Sequence, residues 1–387
     1  METGNPSVIR KINREAVLSF VRENHSCSRA KLAKQLKLAP ATVSSVVKQL
    51  IDDGLIIETG MLNHEQRSPG RPSKHITLNA KAGYIFGLVI DTVDNQLSIT
   101  AMISDYSGTM TEDQRFVVES DFGESHVVQA VYDVCQALRT QLPKKSNIIA
   151  VAIGIPGVVV DRSILHAPRL TALIGHNFHT LVSKKLKTRV FLENDVNLAL
   201  YSEANARPEL RKVNYGYLFI SLGVGSGIAL AGDIWTSTSW SGEVGHIAVP
   251  FGEQGLEKLE NIIGLDGLII TRLKAFGVNL NMAEFDPFCD VNDDQTRETI
   301  KRLIEQYVQY LLVAVQGLNA AVGLDEIILN SRETGFLNYI HPMMLEHIAH
   351  SPLQLSVSIS QKSETSLAQG ATLFGLKSAL QEFEQRS

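Results

Sequence analysis

Between Phe191 and Leu200 an apolar run is broken by Glu193, Asn194, Asp195 and Asn197. Carboxylates and amides at the end of a buried strand must be hydrogen-bonded, because desolvating them unpaired is costly. A polyhydroxylated ligand would satisfy them. The carboxylate of Asp195 could also take a proton from a ligand hydroxyl, so the cluster fits a sugar kinase or a sugar sensor equally. A plainer alternative is that these residues only cap a helix.

The cluster needs a scaffold, and the hydrophobic pattern around it predicts one. Tyr84–Asp91 reads as an apolar strand ending in an acid, followed by hairpin strands over Gln96–Ser104 and Gly108–Glu119. A helix near His126–Leu142 leads to a strand over Ile148–Gly154. A second set begins with a strand at Tyr215–Leu222, and long helices are expected over Thr296–Gly323 and from Ser366 onward. The two sets share a layout of strand hairpin, helix and strand. They predict an α/β body of two lobes, residues 81–193 and 194–387, facing a central cleft in a duplicated actin-like, ribonuclease H-like fold. The apolar helix Ile300–Val322 is read as core packing before dimer packing.

Ahead of the body, residues 1–80 form a separate unit. They hold 12 Lys/Arg against 7 Asp/Glu, whereas the whole chain has a net charge of -5. A basic head on an acidic body points to a polyanion at the head. Val8, Ile12, Ala16, Val17, Phe20 and Val21 recur at helical spacing. Ser28 reads as the N-cap of a second helix, and Pro40 opens a third that ends near Gly54. This third helix turns Thr42, Ser44, Ser45, Lys48 and Gln49 outward, and with Ser28 and Arg29 of the second helix they suit phosphates and base edges. Strands at Leu55–Glu58 and His75–Leu78 would then form a wing. Between them, Arg67, Arg71 and Lys74 lie in a basic Pro/Gly segment resembling an AT-hook, slim enough for a minor groove. The sum is a winged helix-turn-helix, with a three-helix protein-interaction module as the alternative.

Composition sets the remaining bounds. Hydrophobic residues make up 44% and charged residues 20%, values typical of globular proteins, and 387 residues suggest two or three domains. No apolar run is long enough for a membrane span and the N-terminus lacks a signal-peptide core, so a cytoplasmic protein is expected. Cys27, Cys135 and Cys289 are dispersed and are expected to be reduced.

Five features in order now carry a resemblance. They are the head ending in Pro69-Gly70-Arg71-Pro72, then Gly154-Ile155-Pro156-Gly157, Glu193-Asn194-Asp195-Val196-Asn197, Gly223-Val224-Gly225-Ser226-Gly227, and Gly242-Glu243-Val244-Gly245-His246. Together they make the chain resemble the ROK family of repressors and sugar kinases over nearly its whole length. The resemblance implies that Asn194 and Asp195 bind sugar hydroxyls, with Asp195 the base in a kinase member, and that Glu243, His246 and Glu260 complete the pocket.

The chain also departs from the family. The resemblance implies an Asp-x-Gly-Gly-Thr phosphate turn where this sequence reads Asp91-Thr92-Val93-Asp94-Asn95, and only glycine would let backbone N–H groups reach the anion. Ser221-Leu222-Gly223 stands where a Gly-Thr-Gly is expected, and Leu329-Asn330-Ser331-Arg332 replaces a Gly-Gly turn. The family's zinc cysteines are missing between Gly252 and Gly264, so no metal is expected, and with it the bracing of the loop carrying Glu260 is in question. The expectation is a non-enzymatic repressor of carbohydrate genes, without cofactor. Its partners would be operator DNA, a sugar or sugar phosphate, and a second copy in a homodimer or homotetramer. The rivals are an active kinase with a DNA-binding head and a regulator controlled by a protein partner.

Overall fold

The computed structural model describes residues 6–60, 74–93, 96–118, 122–236, 241–280, 285–289, 291–350, 355–361 and 366–386. In the head, α1 (Pro6–Asn24), α2 (Arg29–Leu36) and α3 (Pro40–Asp52) pack with a small antiparallel sheet. The sheet holds β1 (Cys27–Ser28), β2 (Ile56–Thr59) and β3 (His75–Leu78) in the order β1-β3-β2, with β1 an addition to the two-stranded wing. Ser28 caps α2 by accepting from the Lys31 N–H at 3.2 Å. Pro40 occupies the first turn of α3, and Gly54 takes φ +72° just past its end, where a side chain would be strained. Val43, Val46, Val47 and Leu50 of α3 are buried while Ser44, Ser45 and Lys48 are exposed. Residues 61–73, which include Arg67 and Arg71, lie outside the described residues.

The first lobe contains β4 (Tyr84–Val93), β5 (Gln96–Asp105), β6 (Gln114–Val118), α4 (Glu124–Thr140), β7 (Ile148–Ile155), the hairpin β8 (Val158–Val160) and β9 (Ser163–His166), α5 (Asn177–Leu186), β10 (Arg189–Asn194) and α6 (Asp195–Ala206). The second contains β11 (Tyr215–Ile220), β12 (Val224–Leu230), β13 (Asp233–Ile234), β14 (Ala248–Pro250), β15 (Leu256–Lys258), α7 (Leu259–Ile263), α8 (Leu268–Ala275), α9 (Asp294–Val322), β16 (Glu326–Ser331), α10 (Thr334–Ala349), β17 (Ser356–Ile359) and α11 (Ser366–Arg386).

The two large sheets repeat one topology. Their orders are β10-β7-β4-β5-β6 and β13-β12-β11-β16-β17. In both, the first strand pairs antiparallel with its hairpin partner and parallel with the fourth strand. Helices cover the sheets, so β7 is buried along nearly its whole length and reads as a continuous apolar run.

Two expectations need correction. The third strand of the first lobe is shorter than Gly108–Glu119, because Gly108 takes φ +89° in a turn and, beyond an isolated Ser104–Met110 bridge, continuous pairing begins at Gln114. The reading of α9 as core holds, since Ile300, Ile304, Tyr307, Val308, Leu311 and Leu318 sit inside the second lobe's hydrophobic cluster. The last helix, α11, leaves the second lobe and packs on the first, with Ala368 and Ala371 buried against Val89, Ala152 and Leu198. Its small side chains allow that approach.

Candidate functional site

A cavity of about 390 Å³ opens between the lobes, within the roughly 300–1,000 Å³ of small-ligand pockets. Asn194, Asp195, Glu243, His246 and Glu260 all line it. They arrive there from strand and helix ends: Asn194 and Asp195 from the β10–α6 junction, Glu243 and His246 from the turn before β14, and Glu260 from the first turn of α7.

Asn194 has two tasks at that junction. Its Oδ1 accepts from the N–H groups of Val196 and Asn197 at 2.8 and 3.1 Å, capping α6. Its Nδ2 donates to the Gly157 carbonyl at 2.6 Å, tying the cap to the Pro156-Gly157 turn, and leaves one amide hydrogen for a ligand. The capping alternative therefore accounts for part of Asn194. Glu193 is buried and accepts from the Asn194 N–H and the Asn197 amide, both at 2.9 Å, which assigns it to the scaffold.

Asp195 is placed differently. Its Oδ1 accepts from the Val196 N–H at 2.9 Å. Burial, with the negative charges of Asp91 and Glu243 adding to it, pushes its carboxyl up to about 7. Burial and the Glu260 charge do the same to Glu243, also to about 7. Near neutral pH each carboxyl thus exchanges between hydrogen-bond donor and acceptor, which suits hydroxyl ligands.

Lys258 braces the wall carrying Glu260. Lys258 Nζ donates to His246 Nδ1 at 3.2 Å and lies 3.6 Å from Glu260, whose Oε1 is 3.6 Å from His246 Nε2. Burial lowers the His246 imidazole, Glu260 opposes that shift, and Lys258 and His166 add to it. Among the described residues no group of three or more His, Cys, Asp or Glu could hold a metal ion. Glu260 nevertheless reaches the pocket, so the ammonium of Lys258 braces the loop. Gly242 takes φ +78°, and a Cβ there would strike the Ser226 carbonyl, so only glycine lets this loop lie against β12.

The cavity also holds residues that sequence reasoning did not assign to it. Asp91, Thr92, Arg169 and Arg332 line it as well. Arg332 Nη2 donates to Asp91 Oδ2 at 2.5 Å, and the Thr92 hydroxyl is buried with no partner among the described residues. The acid ending the first strand was one available signal; its partner lies 241 residues away.

At the head, Ser44, Ser45 and Lys48 form the exposed face of α3, and Thr42 is half-buried beside them. Arg29 and Lys74, read as DNA contacts, both converge on Glu58 of the wing, at 2.7 and 2.8 Å. Their charge is therefore partly matched within the head. Glu58 itself is held below the usual carboxylate range, first by the Lys74 hydrogen bond and then by the Arg29 charge.

Comparison with known proteins gives two matched regions. Residues 10–57 match a winged helix-turn-helix DNA-binding model, and residues 96–258 match the ROK family model. The xylose repressor of Bacillus subtilis is 29% identical over 254 residues, 65% of this chain and 64% of the relative. The chain thus spans just under two thirds of that relative. The xylose repressor of Staphylococcus xylosus is 24% identical over 375 residues, 93% of each. A solved ROK family transcriptional regulator, a homologue of the Escherichia coli MLC protein, superimposes with a TM-score of 0.74 at 20% identity over 96% of both chains.

Proposed function

The chain carries a ROK-family domain behind a winged helix-turn-helix head, and from that premise we propose that it is a sugar-responsive transcriptional repressor of carbohydrate-metabolism genes. Its head reads operator DNA and its body binds a sugar or sugar phosphate without phosphorylating it. One observation carries this reading: a single chain joins a DNA-binding head to a cleft where Asn194, Asp195, Glu243, His246 and Glu260 converge. The xylose repressors similar to it support the same role. Carboxylates and amides in a cleft make paired hydrogen bonds to vicinal diols, which matches a sugar. Work on chromosomal DNA places the protein in the cytoplasm, and no helix among the described residues is long and apolar enough to cross a membrane. Operators of two-fold symmetry call for two heads at fixed spacing, so we assign it a homodimer as its smallest active form.

A second reading, an active sugar kinase, is favoured by one feature. Asp195 at the start of α6, with its carboxyl near 7, is positioned as a general base would be. Side chains at Val93 and Asp94 where a phosphate turn would have glycines, and Ser221-Leu222-Gly223 where a Gly-Thr-Gly would stand, support sensing over catalysis.

The test has two parts. Purified protein is expected to retard its own promoter fragment in a salt-dependent way, and Ser44→Ala/Ser45→Ala/Arg71→Ala is expected to abolish that retardation. ATP-dependent phosphorylation of a pentose and hexose panel is expected to be absent. Turnover that disappears in Asp195→Asn would establish the kinase instead.

A further inference from the structure

Asp91 stands near the end of the first lobe's central strand, and Arg332 directly follows β16 in the second lobe. Their 2.5 Å charge-assisted contact therefore crosses the cleft. The Asp91 and Arg332 side chains are only 30% and 21% exposed, so solvent screens the pair less than a surface one. Asp91 is fixed at its other oxygen as well, where Oδ1 accepts the Thr92 N–H at 2.7 Å. Two further contacts span the same mouth. Arg169 of the first lobe lies 3.9 Å from Asp266 of the second, a long and exposed pair of opposite polarity, and the His166 and His246 rings meet edge to face at 5.8 Å.

A phosphoryl donor entering between the end of the first strand at Asp91-Thr92 and the turn at Ser221-Gly223 would have to break this pair. Enzymes that close over such donors use the donor itself to bridge the moving parts. Here a bridge of protein side chains already occupies that position.

We propose that the Asp91–Arg332 ion pair replaces a phosphoryl donor as the bridge between the lobes, so that a sugar alone closes the cleft and a polyphosphate is excluded from it. The proposal rests on the sugar-sensing reading above, and it makes Asp91 and Arg332 specificity-determining residues of that site. A ligand shifts the equilibrium between open and closed forms only by its differential affinity for them. A built-in bridge lowers the cost of the closed form, leaving less for the sugar to supply.

A charge-swap cycle on the full chain tests the bridge without any ligand. Spin labels at Lys144→Cys and Glu346→Cys, in a Cys289→Ser background, report the distance between lobes; all three positions are exposed. Arg332→Asp and Asp91→Arg are each expected to lengthen it, and the double variant to restore it. Arg332→Gln, a milder change, is expected to lengthen it as well and serves if a charge reversal fails to fold. Equal distances in all variants, or a double variant that stays open, overturn the bridge. Calorimetry with a pentose and hexose panel then separates this proposal from the reading it rests on. Wild type should bind one sugar with an affinity unchanged by ATP, and Arg332→Gln should bind it on the order of tenfold more weakly, a normal size for coupled sites. Sugar affinity that rises with ATP overturns the exclusion. A wild type that binds no sugar while its distances follow the charge cycle overturns sugar sensing and leaves the bridge standing.

Discussion

Asp195 gives the cleft its pH dependence. Its carboxyl is raised from 3.8 to about 7, mainly by burial. The folded state therefore holds this proton more tightly than the unfolded chain, so stability falls as pH rises between about 4 and 7 and the loss is complete above that range. Asp195→Asn removes the cost of ionising the group. The variant is expected to melt higher than wild type at pH 8, by about 2 °C, and to show no advantage at pH 4, as read by calorimetric scans. Sugar binding should move the other way with pH, because the carboxylate accepts two hydroxyl hydrogen bonds where the acid accepts fewer. Affinity of the wild type is expected to rise from pH 6 to pH 8, and Asp195→Asn to bind weakly with a flatter profile. Glu243, also raised to about 7, keeps some slope in that variant. Residue types made Asp195 visible in the sequence, because two carboxylates and two amides interrupt an apolar strand end. Arg332 was visible only as a departure from a glycine turn, since nothing local to it names Asp91 as its partner.

The elements themselves were legible wherever a local rule sets them. Ser28, Pro40 and Gly54 mark the ends of α2 and α3 through caps and turns that involve near neighbours in sequence. The pairing of distant parts was not: no pattern in α11 says that Gly370 packs on the Leu198 carbonyl. At this scale Asn194 matters as a cap. Asn194→Ala removes two capping bonds from α6 and the tether to Gly157. It is expected to cost about 1–2 kcal/mol of stability in denaturant melts, and to weaken sugar binding because Asp195 is carried by the same helix end. The wing offers a separate test. Glu58 draws in both Arg29 and Lys74, so Glu58→Gln frees two cations for DNA phosphates. Its operator affinity should rise, with a salt slope steeper by about one to two phosphate contacts. An unchanged slope in binding titrations would mean that neither cation reaches the DNA.

Across the whole molecule, α11 joins the cleft to the head. Its first half packs Ala368 and Ala371 against Leu198 of α6, the helix whose N-terminus carries Asp195. Its second half places Leu376 and Ala379 in one cluster with Val47, Leu50 and Ile76 of the head and with Ile85, Tyr106 and Phe191 of the first lobe. The head's core is thus continuous with the body's, which gives a proposed shift of α6 on ligand binding a packed path to the head. Such a path counts as coupling only if disturbing it changes the linkage between the two ligands. Gly370 is the position to disturb, because a Cβ there would overlap the Leu198 backbone carbonyl. In an exposed helix, glycine to alanine stabilises by about 1 kcal/mol. At this contact the sign reverses: Gly370→Ala must push α11 away from α6, at a cost of about 1–3 kcal/mol. The variant is expected to melt lower than wild type while keeping both operator binding and sugar binding. The ratio of operator affinities with and without sugar should move toward one. Fluorescence anisotropy on a labelled operator, at saturating and zero sugar, reads that ratio directly. A variant that loses stability but keeps the wild-type ratio would show that α11 only supports the fold and that the signal reaches the head by another route.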